Sequence, residues 1–213
     1  MLSSLYEVLI QDLFRFYLEL SSLLDKSMFP KKVKLLHETM ESFGYKTNTF
    51  SLELSEENKN YNSVSKIYDW LSTMKAERKD FIVSFGGGVA GDIIGFAASS
   101  YLRGIPYIQI PTTLAAMTDA AIGGKTGYNL DTGKNLVGSF YQPSIVIADI
   151  SNLNSLPENQ LASGWAEAIK YGLILDKDLF IRFFAICNIF FSKSIAYAFL
   201  ELPSFTQACL LYT

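Results

Sequence analysis

The segment AAIGGKTGYNLDTGKN, Ala120–Asn135, sets two lysines, an aspartate and two asparagines among glycines. These are residue types that bind phosphates and polar ligands. A phosphate-cradling P-loop would need a glycine five residues before Gly124-Lys125-Thr126, and Asp119 stands there. A carboxylate at that place would repel the phosphates that the loop's N–H groups hold, which excludes a P-loop. Asp119, Lys125, Lys134 and Asn135 are therefore candidates for a polar site of another kind. A solvated loop explains the same charges. Against it, Gly123, Gly124, Gly127, Gly133 and Gly138 suggest a backbone shaped around something.

A second cluster is GGGVAGD, in which Gly86, Gly88 and Gly91 fit G-x-G-x-x-G. The run lies between an expected strand and an expected helix, where glycines let backbone approach a pyrophosphate and the helix N-terminus offers N–H donors. The acidic residue that reads a ribose about twenty positions on is missing, because that region reads YIQIPTT. A standard dehydrogenase domain is thus disfavoured, and a plain tight turn stays possible. Thr112 and Thr113 follow a strand, where hydroxyls serve a ligand or cap a helix. Glu167 and Lys170 stand on one helix face within ASGWAEAIKYG. That small, apolar face would leave the pair partly desolvated, and the two side chains could bind a divalent metal and an anion. A surface ion pair is the plainer reading.

The elements that must position these groups alternate. FIVSF (81–85) reads as a buried strand. Residues 89–102 read as a helix closed by Arg103 and Gly104. IPYIQI (105–110) is the next strand, TLAAMTDAA a short helix, and SIVIAD (144–149) a further strand. In SLPENQLASGWAEAIKYG, Ser155 and Glu158 predict a capping box, Pro157 a first turn and Gly172 an end. Strand–helix–strand alternation predicts an α/β fold with a parallel sheet and a ligand site at the carboxyl ends of its strands.

Composition narrows the classes. The 213 residues, 49% hydrophobic, are enough for a buried core, and a net charge of −3 without a basic patch argues against nucleic acid. Cys187 and Cys209 suggest no disulfide framework, as suits a reducing compartment, and the sole histidine, His37, reads as a solvated helix residue. Glu7 and Asp12 argue against a signal peptide. Between Phe183 and Leu200 the chain is apolar enough to consider a membrane span, but Asn188 and Lys193 would sit inside it. A helix awaiting a covering partner is preferred there.

Taken together, the run from GGGVAGD through GGKTGYN and GKNLVGSFYQPSIVIAD to LASGWAEAIKYG resembles 3-dehydroquinate synthases, densely over 81–172 and more weakly back to Lys31. The resemblance implies a Rossmann-like NAD-binding domain over 31–156 and the start of a helical domain over 157–213. Residues 1–30 match poorly, and an atypical tail begins near 181. It implies a cytoplasmic lyase of the shikimate pathway that uses NAD and a divalent metal, zinc or cobalt. The reaction converts the sugar phosphate 3-deoxy-arabino-heptulosonate 7-phosphate into 3-dehydroquinate and phosphate.

By the same resemblance Gly87, Gly88, Val89, Asp92, Thr112, Thr113 and Lys134 would contact NAD. Glu56 and Lys59 would lie near its adenosine, with Ser55 in place of the family's glycine. Asp119, Lys125, Asn135 and Lys170 would hold substrate, and Glu167 would be one metal ligand. Arg103 would reach the site of a second copy in a homodimer. Ala120 stands where the family usually has serine, and Gln160 where it often has glutamate. The family completes its metal site with two histidines, and no histidine follows His37 here. This chain alone is therefore expected to be inactive, whether as a truncated synthase, as an NAD-binding module needing a partner, or as part of a related cyclase.

Overall fold

The computed structural model describes residues 15–21 and 29–187, with side chains from 31 to 183. The apolar tail beyond 187, with Cys209, lies outside the described residues.

Five parallel strands form one sheet in the order β2-β1-β3-β4-β7. They are β1 (Arg15–Ser21), β2 (Lys46–Leu52), β3 (Phe81–Gly86), β4 (Tyr107–Pro111) and β7 (Ile145–Val146). Helix α1 (Phe29–Ser42) joins β1 to β2, α2 (Tyr61–Thr73) joins β2 to β3, and α3 (Gly88–Ser100) joins β3 to β4. The connection after β1 runs outward to β2, whereas the one after its neighbour β3 runs the opposite way to β4. Such a reversal opens a crevice at the strands' carboxyl ends.

Both faces of the sheet are covered, which is why its central strands read as near-continuous apolar runs. Ile82 and Tyr107 pack under α2 and α3 with Val64, Ile67, Leu71, Ile93 and Ile94. Val83, Phe85, Ile108 and Ile110 pack on the other face with Val33 and Met40 of α1. Ile93 and Ile94 are fully buried, and burial of that kind contributes about 1.5–3 kcal/mol per side chain. Asn60 caps α2 by accepting from the N–H groups of Asn62 and Ser63.

Several elements differ from expectation. Strand β1 pairs with both β2 and β3, although RFYLELS, broken by Arg15 and Glu19, does not read as a central strand. The glycine-rich stretch is an antiparallel hairpin, β5 (Lys125–Leu130) and β6 (Gly133–Phe140). Gly127 and Gly138 face each other there, and a Cβ on Gly127 would lie 2.3 Å from the Val137 carbonyl oxygen. These glycines let two backbones meet. Helix α3 stops at Ser100 and is followed by a 3-10 turn, Tyr101–Arg103. Leu102 and Arg103 there take φ of 50° and 67°, and Gly104 follows at 118°.

The capping box does not form. Ser155 ends a 3-10 helix, Ile150–Ser155, and its hydroxyl donates to the Asn152 carbonyl. Pro157 is the N-cap of α4 (Glu158–Leu175). Nor does Gly172 end α4. It lies where α5 (Lys177–Cys187) crosses, and a Cβ would meet Phe180 Cα at 3.2 Å. No helix among the described residues is long and apolar enough to cross a membrane.

Candidate cofactor and substrate cleft

A cleft of about 510 Å³ opens beside the carboxyl ends of the strands, between α3, the turn after β4 and the hairpin. Asp92, Asp119, Ala120, Lys125 and Asn135 line it, with Ile122, Leu136 and Phe140 as apolar wall. The fold thus brings together residues from 92 to 140 whose sequence spacing alone does not show that they meet.

The glycine turn lies where a phosphate-binding turn should. Gly87 is the N-cap of α3 and makes no side-chain cap, so the N–H groups of the first turn are left for a ligand. A Cβ on Gly88 would lie 3.2 Å from Ala120 Cβ, and one on Gly91 would lie 2.1 Å from Gln109 Nε2. Gly91 therefore serves helix–strand packing and Gly88 the approach of the next turn. Val89 packs its side chain against the core.

Thr112 and Thr113 differ in what their hydroxyls do. Thr113 Oγ1 accepts from the Ala116 N–H at 3.2 Å and so starts the following helical turn. Thr112 Oγ1 is buried with no partner, as are Ser84 Oγ and Gln109 Nε2. A buried hydroxyl without a partner costs about 1–3 kcal/mol, so Thr112 fits a bound polar group. The residues present therefore suit a dinucleotide phosphate.

Glu56 and Lys59 come from the loop after β2. Lys59, only 4% exposed, sets its ammonium 2.5 Å from Asp92 Oδ2 and 2.6 Å from Asn135 Oδ1. Burial pushes the Asp92 carboxyl above the usual carboxylate range, and the Lys59 ammonium works against that rise. Glu56 accepts from Asn129 Nδ2 at 2.9 Å and lies 3.5 Å from the Lys134 ammonium. Asn129 Oδ1 in turn accepts from the Asn135 N–H at 2.8 Å and holds that residue at φ 54°. Asn129 carries no signal of its own in the sequence beyond its place in the glycine-rich run.

Asp119 stands in a π-helical turn, Ala116–Ala120, and its Oδ1 accepts from the Tyr171 hydroxyl at 2.6 Å. The carboxylate beside it pushes the Tyr171 phenol up to about 12, with burial adding to the rise. Lys170 bonds Glu167 one helical turn back, and its ammonium sits 5.0 Å from the centre of the Tyr171 ring. This pair is not desolvated as its apolar neighbours suggest. The Lys170 side chain is 48% exposed, because the small residues around it leave it open to solvent. Lys170 and Glu167 are near Asp119 but do not line the cleft. Arg103 is not at the cleft either: it follows the carboxyl end of α3, on the way into the amino end of β4, whereas the cleft lies at the strands' carboxyl ends.

Among the described residues no three of His, Cys, Asp or Glu are grouped to hold a metal. Glu167 alone does not fit a zinc site, which generally takes three protein ligands.

The sequence matches the family described as 3-dehydroquinate synthase N-terminal over residues 49–163. It is 47% identical over 145 residues to a 3-dehydroquinate synthase of Geotalea uraniireducens (strain Rf4), a match spanning 68% of this chain. The chain spans about 40% of the length of the curated relatives it matches. Two solved structures share its architecture. One is a 2-deoxy-scyllo-inosose synthase complexed with carbaglucose-6-phosphate, NAD+ and Co2+. It has TM-score 0.73 and 32% identity, covering 82% of this chain and 47% of that one. The other is a 2-epi-5-epi-valiolone synthase from Streptomyces hygroscopicus subsp. jinggangensis 5008 with NAD+ and Zn2+ bound. It has TM-score 0.77 and 26% identity, covering 92% of this chain and 52% of that one.

Proposed function

The chain belongs to the 3-dehydroquinate synthase family, and from that premise we propose that it forms the cofactor- and substrate-cradling half of a phosphate-eliminating cyclase. The substrate we assign is 3-deoxy-arabino-heptulosonate 7-phosphate, converted to 3-dehydroquinate and phosphate. One observation carries this reading. The glycine turn, the unpartnered Thr112 hydroxyl and the polar set Asp119, Lys125 and Asn135 gather at the strands' carboxyl ends.

NAD, when bound, supplies a hydride acceptor for one ring hydroxyl. Gly87, Gly88 and the first turn of α3 take its pyrophosphate, Thr112 donates to it, and Glu56 with Lys134 faces the adenosine end. Asp92 is fixed by Lys59 beside them. Lys125, exposed at the cleft mouth, offers an ammonium to the sugar phosphate. Asp119 accepts from a ligand hydroxyl, and Asn135, whose Oδ1 is engaged by Lys59, donates through its amide NH2.

The described residues do not complete a metal site, so no step is assigned to a metal here. We propose that the other ligands, with Glu167, come from a histidine-bearing helical segment. Without it the 213-residue polypeptide binds NAD but turns nothing over. Arg103, at the amino end of the strands and so away from this cleft, is assigned to the cleft of a second copy, which makes the assembly a homodimer. The two sugar-phosphate cyclases that share the fold keep a related substrate as the second reading.

Calorimetric titration of NAD+ into the chain tests the reading, with saturable binding at one site expected. No binding refutes it. Phosphate release from the heptulosonate phosphate by this polypeptide alone, with zinc, would refute the need for the further segment.

A further inference from the structure

Asp119 lines the cleft, yet one of its two oxygens is already engaged. Tyr171 reaches it across 52 residues of chain and donates to Oδ1 at 2.6 Å. That contact depends on how α4 is seated. Gly164 lies two turns earlier on the helix and shares the face of Tyr171. A Cβ on Gly164 would stand 2.5 Å from Leu114 Cβ and 2.7 Å from the Ala115 nitrogen. Helix α4 therefore lies directly on the start of the turn that carries Asp119, and that turn is π-helical, a widening that re-aims its side chains. Lys170 borders the same phenol, with its ammonium 5.0 Å from the ring centre.

We propose that Tyr171 is a positioning residue for the cleft: its phenol fixes the Asp119 carboxylate, leaving Oδ2 as the acceptor for a ligand hydroxyl. The inference rests on the proposed function, because Asp119 is read there as a substrate contact. A carboxylate held on one oxygen discriminates by direction, whereas a free one rotates to meet several hydroxyl placements. The contact also ties the cleft to α4, so a shift of that helix is felt at Asp119.

The test is a double-mutant cycle with Tyr171→Phe, Asp119→Asn and the pair together in the 213-residue chain. The first readout is the affinity of the NAD+-loaded chain for 3-deoxy-arabino-heptulosonate 7-phosphate. The second is the melting midpoint without ligand. Y171F is expected to weaken the sugar phosphate about tenfold, as loss of a hydrogen bond to a charged group does. In the D119N background the same substitution is expected to change affinity little. A purely structural tyrosine would weaken binding in both backgrounds, and additive losses overturn the proposal. So does a Y171F chain that binds like the parent. If the parent chain binds no sugar phosphate, the assigned substrate is refuted, and the melting cycle decides the contact. Coupled shifts uphold it, and additive shifts overturn it.

Discussion

Lys59 holds Asn135: its ammonium donates to the amide oxygen at 2.6 Å across 76 residues of chain, joining the loop before α2 to the outer strand of the hairpin. The same ammonium is 2.5 Å from Asp92 Oδ2, so one buried charge joins two walls of the cleft, α3 and the hairpin. Lys59→Met keeps most of the side-chain volume and removes the charge. The Asp92 carboxylate then lacks its counter-ion, and the Asn135 amide oxygen loses its donor, while the Asn129 bond to the Asn135 N–H remains. Loss of one partner of a mostly buried pair costs on the order of 2–4 kcal/mol. Denaturant unfolding should show that loss together with a weaker NAD+ affinity. An unchanged midpoint would mean that the hairpin is held by its other contacts, among them Phe96 against Tyr128 at 5.2 Å and Asn129 on Glu56 at 2.9 Å.

Gly164→Ala inserts a methyl where Leu114 Cβ and the Ala115 nitrogen leave no room. The second neighbour is backbone, so relief requires α4 to move. Overpacking of this kind costs about 1–3 kcal/mol, and the displaced helix carries Tyr171, Lys170 and Glu167 with it. Melting should fall by several degrees, and sugar-phosphate affinity should fall further than NAD+ affinity. Equal losses for both ligands would show that the disturbance spreads beyond α4.

What the sequence shows and what it hides follow from range. Strand β3, the glycine turn and α3 are legible, because an apolar run ending in glycines beside a small-residue helix is a local pattern. Strand β1 is not, since Arg15 and Glu19 interrupt its run, and its place at the sheet's centre is set by two neighbours distant in the chain. The hairpin is hidden for a related reason. Gly127 and Gly138 are poor strand formers individually and make sense only opposite each other. Gly172 looks like a helix end until α5 is seen crossing it. Most candidate site residues are legible from residue type, position and resemblance, but that Thr113 caps the next turn while the Thr112 hydroxyl is buried without a partner is visible only in three dimensions. So is the contact of Tyr171 with Asp119.

Thr112→Val separates stability from binding. The Thr112 hydroxyl is buried without a partner, so replacing it with a methyl of similar shape removes an unsatisfied group. The ligand-free chain should be unchanged or stabilised by up to about 1 kcal/mol, while NAD+ affinity falls several-fold. Calorimetry and melting on the same sample read both. A destabilised chain would reveal a partner for that hydroxyl within the protein, and intact NAD+ affinity would place the cofactor elsewhere.

The Tyr171 phenol provides a pH test of the contact with Asp119. Its pKa in the folded chain is raised to about 12, chiefly because the donated hydrogen bond to the Asp119 carboxylate is lost on ionisation. A free tyrosine titrates near about 10. The folded value lies above the unfolded one, so the contribution is fully present below about pH 10. It is lost as pH rises through the folded value. Between those limits the parent chain should lose stability with a steeper slope than Tyr171→Phe, which has no proton to lose there. Alkaline unfolding of the two chains, with the tyrosine ring carbons labelled for NMR, checks both the slope and the midpoint. In Asp119→Asn the Tyr171 signal should move back toward the ordinary tyrosine range. If it titrates there already in the parent chain, the hydrogen bond is absent in solution and Asp119 keeps both oxygens for its ligand.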